Sequence, residues 1–263
     1  MRYRNAYLTL LWFGSFVVLL FSCQTSSETT GDSGFWSNPA TEIDLAEIIE
    51  RDTLRAITTY SSTSYFLYRG EPMGYEYELL TRFANYLGVE LEMVLAEDLD
   101  AMFQKLEAGE GDLIAHGLTI TAARKERFAF SQPLMTTRQM LVQRKPDGWR
   151  NQKWHNVEEA LIRDPFDLKG KDVYVGKTSA FRERLINLSE EMGEEINVKS
   201  LKRKATSEEL IKMVDNQEIE YTVADEHVAR LNATFLPDID VATPLSLKQQ
   251  LAWAVRPNSM QLL

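Results

Sequence analysis

Two side chains of opposite charge stand where the chain leaves an apolar run, and both have the chemistry to hold a small charged molecule. Arg124 ends the segment Gly117-Leu118-Thr119-Ile120-Thr121-Ala122-Ala123-Arg124, and Asp225 ends Ile219-Glu220-Tyr221-Thr222-Val223-Ala224-Asp225. A guanidinium presents a planar fork of donors that matches a carboxylate. A carboxylate in turn accepts from an ammonium group, and the Thr119 hydroxyl with nearby backbone N–H groups adds neutral donors. A zwitterionic ligand loses water on enclosure, which is tolerable only where each charge meets a fixed partner. Plain alternatives stand beside both assignments. Arg124 shares a basic stretch with Lys125 and Arg127, and Asp225 precedes the helical stretch Glu226 to Asn232, where aspartate is a good N-cap.

Other reactive side chains form no comparable pattern. His116, His155 and His227 are scattered, with no partner at ligand spacing, so neither a metal site nor a cofactor is expected. Gly109-Glu110-Gly111 reads as a turn, since no phosphate-loop pattern surrounds it. Acidic residues are plentiful, yet no pair has a glycosidase context, and no catalytic residue is assigned.

Cys23 is the only cysteine, and it follows Leu20-Phe21-Ser22. Arg2 and Arg4 supply a positive start, and Ala6 to Phe21 is uncharged and mostly apolar, shorter than the about 20 residues of a membrane span. Residues 1–22 therefore read as a lipoprotein signal peptide and Cys23 as the acylated residue, with an uncleaved signal anchor as the alternative. Residues 23–41, rich in Ser, Thr and Gly, read as a flexible tether. The position of Gln24 after the cysteine points to an outer-membrane anchor facing the periplasm. Intramolecular disulfides are impossible with a single cysteine.

The elements that must position Arg124 and Asp225 are legible from periodicity. The 263 residues are 44% hydrophobic and 26% charged, an ordinary globular composition, and a formal net charge of −10 argues against nucleic acid. Leu54 to Thr58 is strand-like. Leu79, Leu80, Phe83, Ala84 and Leu87 fall at helical spacing before Gly88. Val89 to Leu95 alternates as a strand with Val89, Leu91, Met93 and Leu95 inward. Leu99, Met102, Phe103 and Leu106 mark a second helix, and Asp112 to Ala115 begins a third strand. A similar order recurs from Val173 to Leu231, after an irregular stretch from Gln143 to Lys169. Gln250 to Arg256 is a last strand. Two α/β units with parallel sheets follow, with passages near Leu141 and Leu247. The ligand then sits between the lobes, at strand C-terminal ends.

Three segments carry a family resemblance: Gly74-Tyr75-Glu76-Tyr77-Glu78-Leu79-Leu80, the Gly117–Arg124 segment continued to Phe128-Ala129-Phe130-Ser131-Gln132-Pro133, and the Ile219–Asp225 segment. The sequence resembles the family-3 extracellular solute-binding proteins over about Leu54 to Arg256. Within them it is similar to the non-catalytic domain of the membrane-bound lytic murein transglycosylases F, notably at Tyr86-Leu87-Gly88-Val89 and Ala252-Trp253-Ala254-Val255. The resemblance implies a two-lobed periplasmic-binding-protein type II fold over residues 42–263, with lobe 1 about residues 52–141 plus 248–263 and lobe 2 about 142–247.

It also implies roles. Arg124, with Gly117 and Thr119, binds a ligand α-carboxylate, and Asp225 binds the ammonium from lobe 2. Thr178 and Ser179 complete the carboxylate site, with Thr178 where the family has glycine. Tyr65 forms an aromatic wall, with Tyr60 and Phe66 as competitors, while Glu76 and Glu78 are structural or at the rim. The ligand is a small zwitterion, an amino acid or a peptidoglycan stem peptide, and the membrane is a partner through the anchor. Lytic activity belongs to a lysozyme-like domain that such proteins carry further along the chain. The alternative is the amino-acid receptor of an ABC importer, with a permease as partner.

Overall fold

The computed structural model describes residues 42–263; the signal segment, Cys23 and the tether lie outside the described residues. Helix α1 (Leu45–Arg51) opens on a capping box in which the Asp44 carboxylate and the Glu47 side chain satisfy each other's backbone N–H groups. Strand β1 (Thr53–Thr58) leads to a small hairpin of β2 (Phe66–Tyr68) and β3 (Glu71–Met73), then to α2 (Tyr75–Leu87) and β4 (Glu90–Leu95). Next come α3 (Leu99–Glu107), β5 (Leu113–Thr119), the single turn α4 (Ala122–Lys125), and the short strands β6 (Ala129–Phe130) and β7 (Met135–Thr137).

The second half holds β8 (Gln139–Arg144), α5 (Trp154–Glu159), β9 (Asp172–Tyr174), α6 (Ala180–Met192) and β10 (Asn197–Lys199). It continues through α7 (Ser207–Asp215), β11 (Tyr221–Asp225), α8 (Glu226–Phe235) and β12 (Ile239–Pro244), and β13 (Gln249–Val255) closes the series.

Two sheets result. In the first, the order is β4-β1-β5-β13-β6, with β7 also on β13. Strands β4, β1 and β5 run parallel, whereas β13 is antiparallel to β5. In the second, the order is β10-β9-β11-β8-β12; β10, β9 and β11 are parallel, and β8 and β12 are added antiparallel. The all-parallel expectation thus holds for the βαβ strands and fails for the strands that come from the crossovers.

Each sheet is covered on both faces. Ile48, Leu54, Leu80 and Val255 pack on one side of the first, and Ile57, Met102, Phe103 and Leu118 on the other. Leu141, Val173, Leu185 and Val223 pack on one face of the second, against Val142, Ile211, Val214 and Ile239 on the other. Leu95 departs from the expected inward alternation: it is exposed, at the end of the edge strand β4, while Val94 packs into the core beside Ile57.

The chain crosses between sheets twice, after β7 and after β12. Because β8 lies wholly in the second sheet, the first passage falls a little before Leu141. The two connecting segments are tied: Gln139 Nε2 donates to Gln249 Oε1 at 2.9 Å, and Gln139 N donates to Ser246 Oγ at 3.0 Å. Among the described residues no helix is long and apolar enough to cross a membrane.

Candidate functional site

A cleft of about 920 Å³ opens between the lobes, lined from both. Its lobe 1 wall is built where β5 bends. On β13, Trp253 lies where the register with β5 shifts, Leu118 being paired to Ala252 and Ile114 to Ala254. Gly117 lies in this bulge at φ +51°, a conformation open to glycine. Its backbone N–H and the Trp253 indole N–H both donate to the carboxylate of Glu76, which is buried at the start of α2. Burial raises the Glu76 pKa, and these two donors oppose the rise. Glu76 is thus both a cleft-lining group and a support for the bulge.

Beyond the bulge, Thr121 caps the single turn α4, its hydroxyl accepting from Arg124 N at 3.3 Å. That turn folds Arg124 back over the end of β5. Its Nη1 donates to Thr119 O at 2.8 Å and its Nη2 reaches Thr178 O of lobe 2 at 3.5 Å. The guanidinium carbon sits 5.6 Å from the centroid of Phe103, which stacks on Phe128 at 4.9 Å. Among the described residues the guanidinium makes no ion pair and no hydrogen bond to a side chain. Burial lowers the Arg124 pKa to about 10, with Asp225 and Glu183 opposing, so the group stays charged at neutral pH. Arg127, read as part of the same basic stretch, is instead built into the fold: it pairs with Glu107 and lies 5.0 Å from the Phe128 ring centroid.

The opposite wall carries Asp225. It stands at the N-cap of α8, yet its side chain makes no capping bond. The first N–H of that helix is satisfied from the crossover, Glu226 N donating to Arg138 O at 2.8 Å and Thr137 Oγ1 at 3.1 Å. The carboxylate is therefore released from capping, and its buried Oδ1 has no partner among the described residues. Burial pushes its pKa up to about 7, with the Arg124 charge pulling the other way.

The other residues singled out in the sequence divide. Gly117, Thr119, Thr178 and Ser179 all line the cleft. The Ser179 hydroxyl is already committed, donating to Gly176 O at 2.8 Å and accepting from Arg182 N as the cap of α6. Tyr65 does not line the cleft: it is buried behind Tyr60, their rings stacked at 5.5 Å, with Tyr77 beyond it at 5.7 Å. Tyr60 and Phe66 are the aromatic residues presented there, together with Tyr75 and Phe181. Periodicity alone missed several lining groups. His116 and His227 are on the walls, and a basic loop, Lys202 to Lys204, forms the lobe 2 rim. Among the described residues no group of three or more His, Cys, Asp or Glu is placed to hold a metal ion.

Two α/β lobes joined by paired crossovers, with charged groups of both signs facing one interlobe cleft, define a binding protein of the two-lobed type II class. The chain belongs to the bacterial extracellular solute-binding proteins, family 3, whose model matches residues 54–237. Among curated relatives it is 36% identical over 218 residues to membrane-bound lytic murein transglycosylase F of Desulfosudis oleivorans, covering 83% of this chain and 45% of that protein. It is 34% identical over 210 residues to membrane-bound lytic murein transglycosylase F 1 of Alkalilimnicola ehrlichii, covering 80% of this chain and 40% of the relative. The chain thus spans less than half the length of these relatives. Among solved structures, the arginine-bound form of truncated ArgBP from T. maritima superposes with a TM-score of 0.66 at 26% identity, covering 82% of this chain and 94% of that one. An ancestral amino acid-binding protein, AncCDT-1, described as a precursor of cyclohexadienyl dehydratase, gives 0.66 at 25% identity, covering 83% and 87%.

Proposed function

We propose that this domain is a lipid-anchored envelope sensor, of the lytic transglycosylase F type, that binds an amino acid or a peptidoglycan-derived peptide between its lobes. One observation carries the reading: Arg124 from lobe 1 and an uncapped Asp225 from lobe 2 face the same cleft. An α-carboxylate on Arg124 and an α-ammonium on Asp225 would satisfy both, and the ligand would cross-link the lobes. The names of the relatives support peptidoglycan as the source. The amino-acid-binding neighbours support an α-amino acid headgroup and keep a second reading open, a receptor feeding an importer, which permease and ATPase genes beside this one would favour. Anchoring rests on the sequence around Cys23. Replacing it with alanine should release the protein into the soluble envelope fraction, and persistence of an uncleaved membrane-bound form would favour a signal anchor.

The site reading is tested by calorimetry with amino acids and stem peptides. Removing one partner of an enclosed charge pair costs about 2–5 kcal/mol, so Arg124→Ala should weaken binding roughly 30-fold or more. The exposed Lys125 on the same turn is the control, because Arg127→Ala would also strip the ion pair to Glu107. Equal losses in Arg124→Ala and Lys125→Ala would remove the site from this cleft.

A further inference from the structure

Two imidazoles line the cleft from opposite lobes. His116 precedes Gly117 in the bulge of β5, and His227 lies in the first turn of α8, just beyond Asp225. Neither makes a side-chain hydrogen bond among the described residues, and the Nδ1 atom of each is buried without a partner, as is Asp225 Oδ1. Buried polar atoms are nearly always paired, because leaving one unpaired is costly. Here three of them belong to residues around one ligand-sized space, so unused bonding capacity stands beside the cleft, and a turn of either ring would bring its nitrogen to an occupant.

The local charges indicate what kind of occupant. Burial lowers the His116 pKa to about 4, and the charges of Arg124 and then His227 add to the fall. Burial also lowers the His227 pKa, against the pull of Glu226, which is itself paired with Arg230 at 2.8 Å. Asp225 is set against Arg124 and, in the proposed function, against the ligand ammonium. Elsewhere on the lining, Lys177 and Lys202 of lobe 2 and Glu78 and Asp100 of lobe 1 make no ion pair among the described residues. An incoming anion reverses the balance at the imidazoles. It offsets Arg124, lets an imidazole take a proton, and receives a charge-assisted hydrogen bond, roughly twice as strong as a neutral one.

We propose that His116 and His227 form a second subsite, one imidazole from each lobe, that takes an additional carboxylate of the ligand, so that the cleft selects an acidic amino acid or an acidic peptide. This rests on Arg124 and Asp225 holding the α-carboxylate and α-ammonium. The probes are glutamate, glutamine and arginine, titrated calorimetrically at about pH 6 and about pH 8 in buffers of different ionisation enthalpy. Glutamine gives the baseline, since it shares the α-groups and any proton that Asp225 releases to an ammonium partner. Glutamate should bind about tenfold more tightly than glutamine at the lower pH. It should also take up more protons than glutamine does, and lose its advantage as pH rises.

His116→Gln and His227→Gln should each weaken glutamate about tenfold while leaving glutamine within about threefold, with melting temperatures reporting folding. Proton uptake by the unmodified protein tests the idea even if a variant folds poorly. Equal affinity for glutamate and glutamine without extra proton uptake, or tighter binding of arginine, overturns the subsite. If Arg124→Ala still weakens glutamine binding in that case, the amino-acid site stands alone; if it does not, or if neither these three nor an acidic stem peptide binds, both readings fall.

Discussion

At Asp225 the needs of folding and of binding pull apart. The carboxylate is held without a capping bond, with a buried unpaired oxygen and a pKa near 7. An acid whose folded pKa lies above its unfolded value of about 3.9 penalises the native state once the unfolded form ionises. The penalty therefore begins near pH 4 and is complete above about pH 7. Asp225→Asn removes it while keeping the shape. With no ligand present, the variant should be more stable than the parent at about pH 8, by about 1–2 kcal/mol after allowance for residual solvent, and the gain should shrink toward pH 5. Ligand binding should be lost over the same range. A thermal melt series against pH reads the first effect and calorimetry the second; a variant less stable at every pH would show that the carboxylate supports the fold. The sequence marks Arg124 and Asp225 through the family-3 segments that contain them, and their place after strand-like runs agrees with that resemblance. It gave no reason to pair His116 with His227, because the lobes, not local spacing, bring them onto one cleft.

The elements that were legible are those whose apolar letters repeat at the period of the structure. Leu80 and Ala84 in α2, and Leu210, Ile211 and Val214 in α7, are buried at helical spacing. The strands β8 and β12 were missed because polar letters are buried in them. Gln143 is buried, yet its amide accepts from Ile162 N at 2.9 Å and donates to Ile162 O at 2.9 Å. Asp240, also buried, is held by Arg163 Nη1 at 2.6 Å. A fully satisfied polar group sits in a core strand at little cost, but a hydropathy pattern reads it as a loop. The start of α2 shows a different dependence on detail. Gly74 has φ +133°, and Tyr75 N and Tyr77 N reach the carbonyls of Thr63 and Ser64 at 2.9 and 3.2 Å. A Cβ at Gly74 would fall 2.3 Å from Ser64 O. Gly74→Ala should therefore cost at least about 2 kcal/mol and displace the Thr59 to Ser64 loop that lines the cleft. A lowered melting temperature with weakened ligand binding is the expected pair of readouts, whereas an unchanged protein would mean that this loop yields freely.

At the scale of the molecule, the lobes touch each other directly across the cleft. Glu208 at the start of α7 accepts from Ser62 N and Ser62 Oγ, each at 2.7 Å, and Lys204 reaches both Glu97 and Asp98 at 3.3 Å. In each case lobe 1 supplies one partner and lobe 2 the other, across the mouth of the cleft. The carboxylates raise the Lys204 pKa, so its charge is secure through the neutral range. These contacts are exposed, and exposed ion pairs contribute little individually and less in salt. They bias closure; they do not lock it. The remainder must come from a ligand that binds the closed form more tightly than the open one, since a ligand indifferent to the two shifts nothing. Lys204→Glu places like charges at this contact and should move the ligand-free ensemble toward the open form. The radius of gyration without ligand should then rise, the affinity should fall several-fold, and saturating ligand should restore the compact form, because the central site is untouched. Raised salt should shift the parent in the same direction and Lys204→Glu much less. A parent whose radius of gyration ignores both the substitution and the salt would show that the crossover segments alone, tied through Gln139 and Gln249, set the angle between the lobes.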